Sequence, residues 1–268
     1  MQKRKSLLIL LVLIYQIFII NAQNKNLKKK FQKIDCAKAE MIFSDSFTDD
    51  WSNQWLLDGE KAFVESGNGS LKFLAGNIPQ HDADHAVLWT KKIFSGNIRI
   101  EFDYIRIDSV PRFVNIIYLF ASGSGSGVYK QDISVWKELR KIPAMKMYFE
   151  HMNAYHISFA AYDIDNTDPE NDYIRARRYL PERGKGLAGT DLMPDYLKTG
   201  LFKPNVKHHI TIIRKDKTIW MKISANSTEK IFKWDTEMQP PISSGRIGLR
   251  LMGSRASIIS NFNVFLLK

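Results

Sequence analysis

A single cysteine, Cys36, is all that this chain of 268 residues offers to disulfide chemistry. An intramolecular bridge is therefore excluded, and the fold has to be held by its core. Long apolar runs are just as scarce. The one long apolar run, "LLILLVLIYQIFII", follows Lys3, Arg4 and Lys5 and precedes "NAQ". That pattern predicts a signal peptide over residues 1–22, cut between Ala22 and Gln23, with an uncleaved anchor as the alternative. No later stretch would span a membrane, so the rest is expected to be secreted, periplasmic or at the cell surface. Helical periodicity is thin as well. Only "DISVWKELRKI" and "MPDYLKTG" suggest short surface helices, and no internal repeat stands out.

What the chain has in plenty is β-type alternation. In "GNIRIEFDYIRID" the side chains of Ile98, Ile100, Phe102 and Tyr104 fall on one face and Arg99, Glu101 and Asp103 on the other. "VNIIYLFASG" is apolar on both faces, which places it centrally in a sheet. "HHITIIRKDKTIWMKIS" reads as a hairpin turning near Lys215 and Asp216. "GRIGLRLMG" and "ASIISNFNVFLL" read as a closing pair of strands, and "ASGSGSGVY" as a flexible loop inside the domain. The expected architecture is all-β: an antiparallel β-sandwich of the jelly-roll type with a few short surface helices. A basic segment over 23–40 precedes this domain at 41–268. The formal charge is +11, or +8 without Lys3, Arg4 and Lys5. Outside the cytoplasm such a surplus suits an acidic polysaccharide or the envelope rather than nucleic acid.

The segments "FSDSFTDDW", "GNIRIEFDY" and "GRIGLR…ISNFNVF" resemble the concanavalin A-type lectin/glucanase jelly roll. More narrowly, "MNAYHISF" followed by "DYIRARRY" resembles the YesU-like domain-of-unknown-function family, associated with bacterial polysaccharide degradation. The resemblance implies carbohydrate as the substrate class, but it does not supply a reaction.

The residues of those two motifs suggest one. On a strand, Tyr155, Ile157 and Phe159 share a face with His151 and Asn153, while His156 and Ser158 lie opposite among small residues. Arg175 and Arg177 share a face of an extended segment, with Arg178 opposite, and the arginine fork suits a carboxylate. These ingredients fit β-elimination of a uronic-acid glycan: His156 as base, Tyr155 or another tyrosine such as Tyr148 or Tyr179 as acid, and Arg175, helped by Asn153, neutralising the sugar carboxylate. His151, Asn153, Ser158, Arg177, Arg178 and Tyr179 are expected to bind substrate, with Trp89 and His85 at the cleft edge, Trp89 stacking on a sugar ring. Strict alternation separates Tyr155 from His156 unless a bulge intervenes.

Two other readings stay open. A hydrolase needs two carboxylates, and "EFDY" offers Glu101 and Asp103 but has Arg106 where jelly-roll glucanases carry a third acid. A non-catalytic carbohydrate-binding protein would use the same residues only to hold sugar. No cofactor and no catalytic metal are expected. "DIDNTDPEND" is the one stretch that suggests a structural calcium ion, against a solvated acidic loop. His81, Asp82, Asp84 and His85 lack the helical spacing of a metal site. Oligomeric state is not legible in the sequence.

Overall fold

Alternation along the strands builds two antiparallel sheets with one core between them. The computed structural model describes residues 25–37 and 39–268. The chain divides into two units, Met1–Lys38 and Ala39–Lys268. In the first, residues 25–35 form a helix, α1; the signal peptide expected at 1–22 lies outside the described residues. Among these, no helix is long and apolar enough to cross a membrane.

The second unit is the sandwich. One sheet (sheet A) runs β14 (Thr228–Asp235), β13 (Thr218–Ala225), β12 (Lys207–Lys215), β7 (Ile98–Arg106), β16 (Ala256–Leu267), β4 (Ser70–Leu74) and β3 (Phe63–Gly67). In the same sheet β1 (Ala39–Asp45) also pairs with β16. The other (sheet B) runs β11 (Asp191–Leu197), β10 (Tyr173–Tyr179), β9 (Met152–Ala161), β8 (Asn115–Gly123), β15 (Ser244–Leu251), β5 (Ala86–Thr90) and β2 (Trp55–Asp58). The short β6 (Phe94–Ser95) also pairs with β15. Ile100, Phe102 and Tyr104 of β7 face Ile117, Leu119, Tyr155, Ile157 and Phe159 of β8 and β9, all buried. Tyr104 meets Phe159 edge to face, with ring centroids 5.2 Å apart. The expected sandwich is therefore present, and β8 is central in its sheet.

Three expectations need correction. "MPDYLKTG" does not form a helical turn: its first residues belong to β11, an edge strand, where Pro194 is tolerated because it has no donor to give a ladder. β15 and β16 do not pair, because they sit in opposite sheets. Each lays an apolar stripe on the same core from its own side, a pattern indistinguishable in sequence from pairing within one sheet. Finally, a helix that the sequence did not suggest, α2 (Met145–His151), takes His151 out of the strand.

A second, smaller core covers part of the outer face of sheet B. The chain after β8 returns over that face as a 3-10 helix, Ile133–Arg140, kinked at Trp136, followed by α2. Ile133, Trp136 and Tyr148 bury themselves against Val87, Trp89, Ile116 and Tyr118. Trp89, Tyr118 and Tyr148 stack as a deck, with Trp89 5.3 Å from Tyr118 and 6.2 Å from Tyr148. One carboxylate anchors the arrangement. Oδ2 of the buried Asp58 accepts from Arg140 Nε at 2.6 Å, Trp89 Nε1 at 2.6 Å and Tyr148 OH at 3.0 Å. Arg140 Nη1 also donates to the carbonyls of Ile133 and Trp136, which closes the covering helix.

Truncating one partner of a buried ion pair strands the other charge and costs about 3–5 kcal/mol. Arg140→Ala is therefore expected to lower urea-unfolding stability by about that much and to open residues 124–144 to limited proteolysis. Unchanged stability would show that Asp58 does not anchor this segment.

Candidate functional site

The alternation expected in β9 holds. Tyr155, Ile157 and Phe159 point into the inter-sheet core, while Ala154 belongs to the layer on the outer face of sheet B. His156 and Ser158 share that outer side, as alternation requires. Antiparallel pairing sets Arg177 opposite His156 and Arg175 opposite Ser158. The imidazole is bonded at both ends: Nδ1 to Tyr179 OH at 2.5 Å and Nε2 to Ser158 Oγ at 2.6 Å. His156 is 4% exposed. Burial, reinforced by the charges of Arg177, Arg250 and Arg175, holds its pKa well below the usual histidine value. It is thus a neutral, doubly hydrogen-bonded side chain inside the fold.

Of the acid–base pairs expected from the sequence, His156 with Tyr155 does not assemble, whereas the alternative acid Tyr179 does meet His156, in a buried pair. Tyr155 lies on the opposite face of β9, within the core, and no bulge brings it to His156. Arg175 and Arg177 do share the outer face of β10, but their charges are matched by the next strand. Arg175 Nε contacts Asp195 Oδ2 at 2.7 Å and Arg177 Nη2 contacts Asp191 Oδ1 at 3.1 Å. The acidic loop 163–172, the nearest carboxylate-rich stretch along the chain, is not what pairs them. Trp89 is fully buried in the aromatic deck and cannot stack on a sugar. His85 is buried too, with Nδ1 2.9 Å from Arg250 Nη2. Burial and the charge of Arg250 lower its pKa to about 3. The hydrolase pair is tied up as well: Glu101 meets Arg99, and Asp103 contacts Lys207 at 2.8 Å, His209 at 2.9 Å and Asn261 at 2.8 Å. In the acidic loop, Asp172 turns inward to Thr199 and to the Gly200 amide. No group of three or more His, Cys, Asp and Glu among the described residues is arranged to hold a metal ion.

Open space lies elsewhere, at the rim of sheet B where β8 and β10 end and β9 and β15 begin. A cleft of about 470 Å³ is lined there by Ser122, Asp132, Asn153, Arg178, Ser244 and Arg246, among others. A bulge in β8 shapes it. The register passes from Leu119 opposite Tyr155 to Ser122 opposite Asn153, with Phe120 at a φ of 54°. The extra residue bends the strand and re-aims the side chains beyond it. Gly245 lets β15 approach the bulge, because a Cβ there would sit 2.2 Å from the Phe120 carbonyl carbon.

Asp132 is held in the cleft through one oxygen. Its Oδ1 accepts from Ser134 N at 2.9 Å, Ser134 Oγ at 2.8 Å and Arg246 Nη2 at 2.8 Å. Burial pushes its carboxyl up, but these donors outweigh it and leave the pKa below the usual range. Among the described residues Oδ2 makes no hydrogen bond, and neither does the amide of Asn153. The cleft therefore offers a fixed anionic acceptor, an uncommitted amide and serine hydroxyls. Asn153 and Arg178 are the only two sequence-predicted site residues that line it. His151 stands two residues before Asn153 and stacks on Tyr129, with centroids 3.7 Å apart. Ser158 and Tyr179 belong instead to the buried His156 network. Asp132 and Arg246 read in sequence only as a helix start and a strand residue, and nothing local joins positions 114 residues apart.

A histidine buried in its neutral form has a folded pKa below its unfolded value, so the unfolded state binds more protons as pH falls. Its stabilising contribution is complete above about pH 6.5 and is lost on acidification towards the folded pKa. For His85 the loss between pH 6.5 and 5 is about 2 kcal/mol; His156 acts in the same direction. Urea unfolding at pH 7 and 5 should show the wild type losing about 2 kcal/mol more than His85→Gln, whose amide can still meet Arg250. Equal losses would refute the assignment.

No protein-family model and no curated protein sequence matches the chain. Solved structures match in fold. A protein of unknown function with a galectin-like fold from Bacillus subtilis aligns with a TM-score of 0.61 at 16% identity, over 86% of this chain and 100% of its own. A legume lectin-like domain from Entamoeba histolytica aligns at 0.57 and 9% identity, over 87% and 100%. The lectin UEA-II, solved with galactose, aligns at 0.53 and 12% identity, over 85% and 100%. At these identities the likeness establishes the architecture: this chain folds as a lectin- and galectin-like jelly roll.

Proposed function

We propose that this protein binds carbohydrate without cleaving it, and that the rim cleft is where the sugar sits. The observation that carries this reading is Asp132, locked by Arg246 and Ser134 with one carboxylate oxygen uncommitted, in a cleft shared with the Asn153 amide. A rigid acceptor with an amide and hydroxyls nearby suits the vicinal hydroxyl groups of a sugar, and costs little ordering entropy on binding. Lectins among the proteins of like fold, one of them solved with galactose, support the ligand class. β-Elimination is set aside because its base is buried and hydrogen-bonded at both nitrogens, Tyr155 lies on the other side of the strand, and Tyr179, the tyrosine that does meet the base, is buried with it. The leader read from residues 1–22 would deliver the protein to glycans outside the cytoplasm.

Calorimetric titration against a panel of neutral and acidic oligosaccharides tests the reading. At least one is expected to bind and to be recovered intact, without new reducing ends or unsaturated uronate absorbance. Asn153→Ala should weaken that binding at least tenfold, about 1.4 kcal/mol. Cleavage products that vanish in His156→Ala would restore the lyase, and no binding across the panel would end the carbohydrate reading.

A further inference from the structure

Four arginines stand on β10 or line the rim cleft, and three of them have a carboxylate of their own. Arg246 is paired with Asp132, Arg175 with Asp195 and Arg177 with Asp191. Arg178 is the exception. Its Nε donates to the Pro240 carbonyl at 3.0 Å and its Nη1 to the carbonyl of Tyr179. Among the described residues Nη2 has no partner, and no carboxylate lies within ion-pair distance. The residue is 2% exposed and lines the rim cleft, and its guanidinium rests over the Tyr155 ring, 5.9 Å from the centroid.

Taking a guanidinium out of water without a counter-charge is costly, and two carbonyls recover only part of the cost. Burial makes this group less basic than a free arginine, and Tyr155 and then Glu182 oppose that shift without cancelling it. The same two carbonyls hold the planar fork in one orientation, so an arriving anion would find its donors already aimed.

We propose that Arg178 is an anion subsite of the rim cleft and that the preferred ligand is an acidic sugar, its carboxylate or sulfate-ester oxygens on Arg178. The inference rests on the carbohydrate reading of that cleft. Asp132 sets the direction of binding, since its carboxylate repels the acidic group and accepts from hydroxyls. The sugar's charged edge therefore faces Arg178 and its hydroxyl edge faces Asp132. Arg175, the clamp expected from the sequence, is replaced in this role by a neighbour three residues along the same strand, on the other face.

Titration of the purified protein with matched oligosaccharides tests the proposal: oligogalacturonate, oligoalginate and oligoglucuronate, each beside its carboxyl-reduced neutral counterpart, and a sulfated galactan beside its desulfated form. An acidic member is expected to bind at least tenfold tighter than its neutral partner, with the preference shrinking as salt is raised. The carboxylated and sulfated arms show which anion is taken. Arg178→Gln should lower acidic affinity at least tenfold more than neutral affinity. Arg178→Lys, which keeps the charge but not the fork, should narrow the preference without abolishing it, and serves if the glutamine variant does not fold. Neutral partners binding as well as acidic ones, or a preference that survives Arg178→Gln, would overturn the subsite while leaving the carbohydrate reading intact. Failure of every oligosaccharide to bind would overturn both.

Discussion

One oxygen of Asp58 receives Arg140, Trp89 and Tyr148 at once, and the layout of the outer face of sheet B depends on that convergence. A carboxylate buried this deeply is tolerated only with its donors in place. Those donors come from a strand of the sheet and from the two helices of the covering segment, so satisfying the charge draws the segment down onto the sheet. The aromatic deck of Trp89, Tyr118 and Tyr148 then turns what would be an open face into a second core.

Covering the face decides what remains for a ligand. His156, Tyr179 and Ser158 satisfy one another, and Arg175 and Arg177 are discharged by the carboxylates of the edge strand β11. Polar groups that look reactive in sequence become a closed network, in which both imidazole nitrogens and both guanidinium charges already have partners. At the rim the balance is different. There the β8 bulge and the close approach at Gly245 open a cleft whose polar atoms are only partly used. Asp132 is fixed but has an oxygen to spare, and Arg178 is fixed but has no counter-ion among the described residues.

Much of the fold was legible. Strict alternation in "GNIRIEFDYIRID" marked a strand with one face on the core, the two-faced apolarity of "VNIIYLFASG" marked a central one, and the sidedness of "MNAYHISF" was correct because period 2 leaves no other arrangement. What misled were segments without a period of their own. "MPDYLKTG" took its strand conformation from the edge it joins, and α2 from the sheet it packs upon, so local propensity had little say. β15 and β16 show that apolar stripes reveal burial but not which sheet provides it.

The candidate site was legible only in part, and for a related reason. The amino-acid sequence by itself determined an all-β chain whose basic and titratable side chains gather around residues 151–179, and it put His156 and Tyr155 on opposite faces. Only the tertiary structure decided which of those charges were already paired. Whether an arginine is a clamp or half of an ion pair depends on Asp191 and Asp195 across a strand boundary, and for Arg178 on the absence of any such neighbour among the described residues. Asp132 and Arg246 stand far apart in the chain and meet only because β15 lies beside β8. Pattern along a chain encodes which face a residue takes, whereas the charge left over for a ligand is a sum over neighbours that only folding brings together.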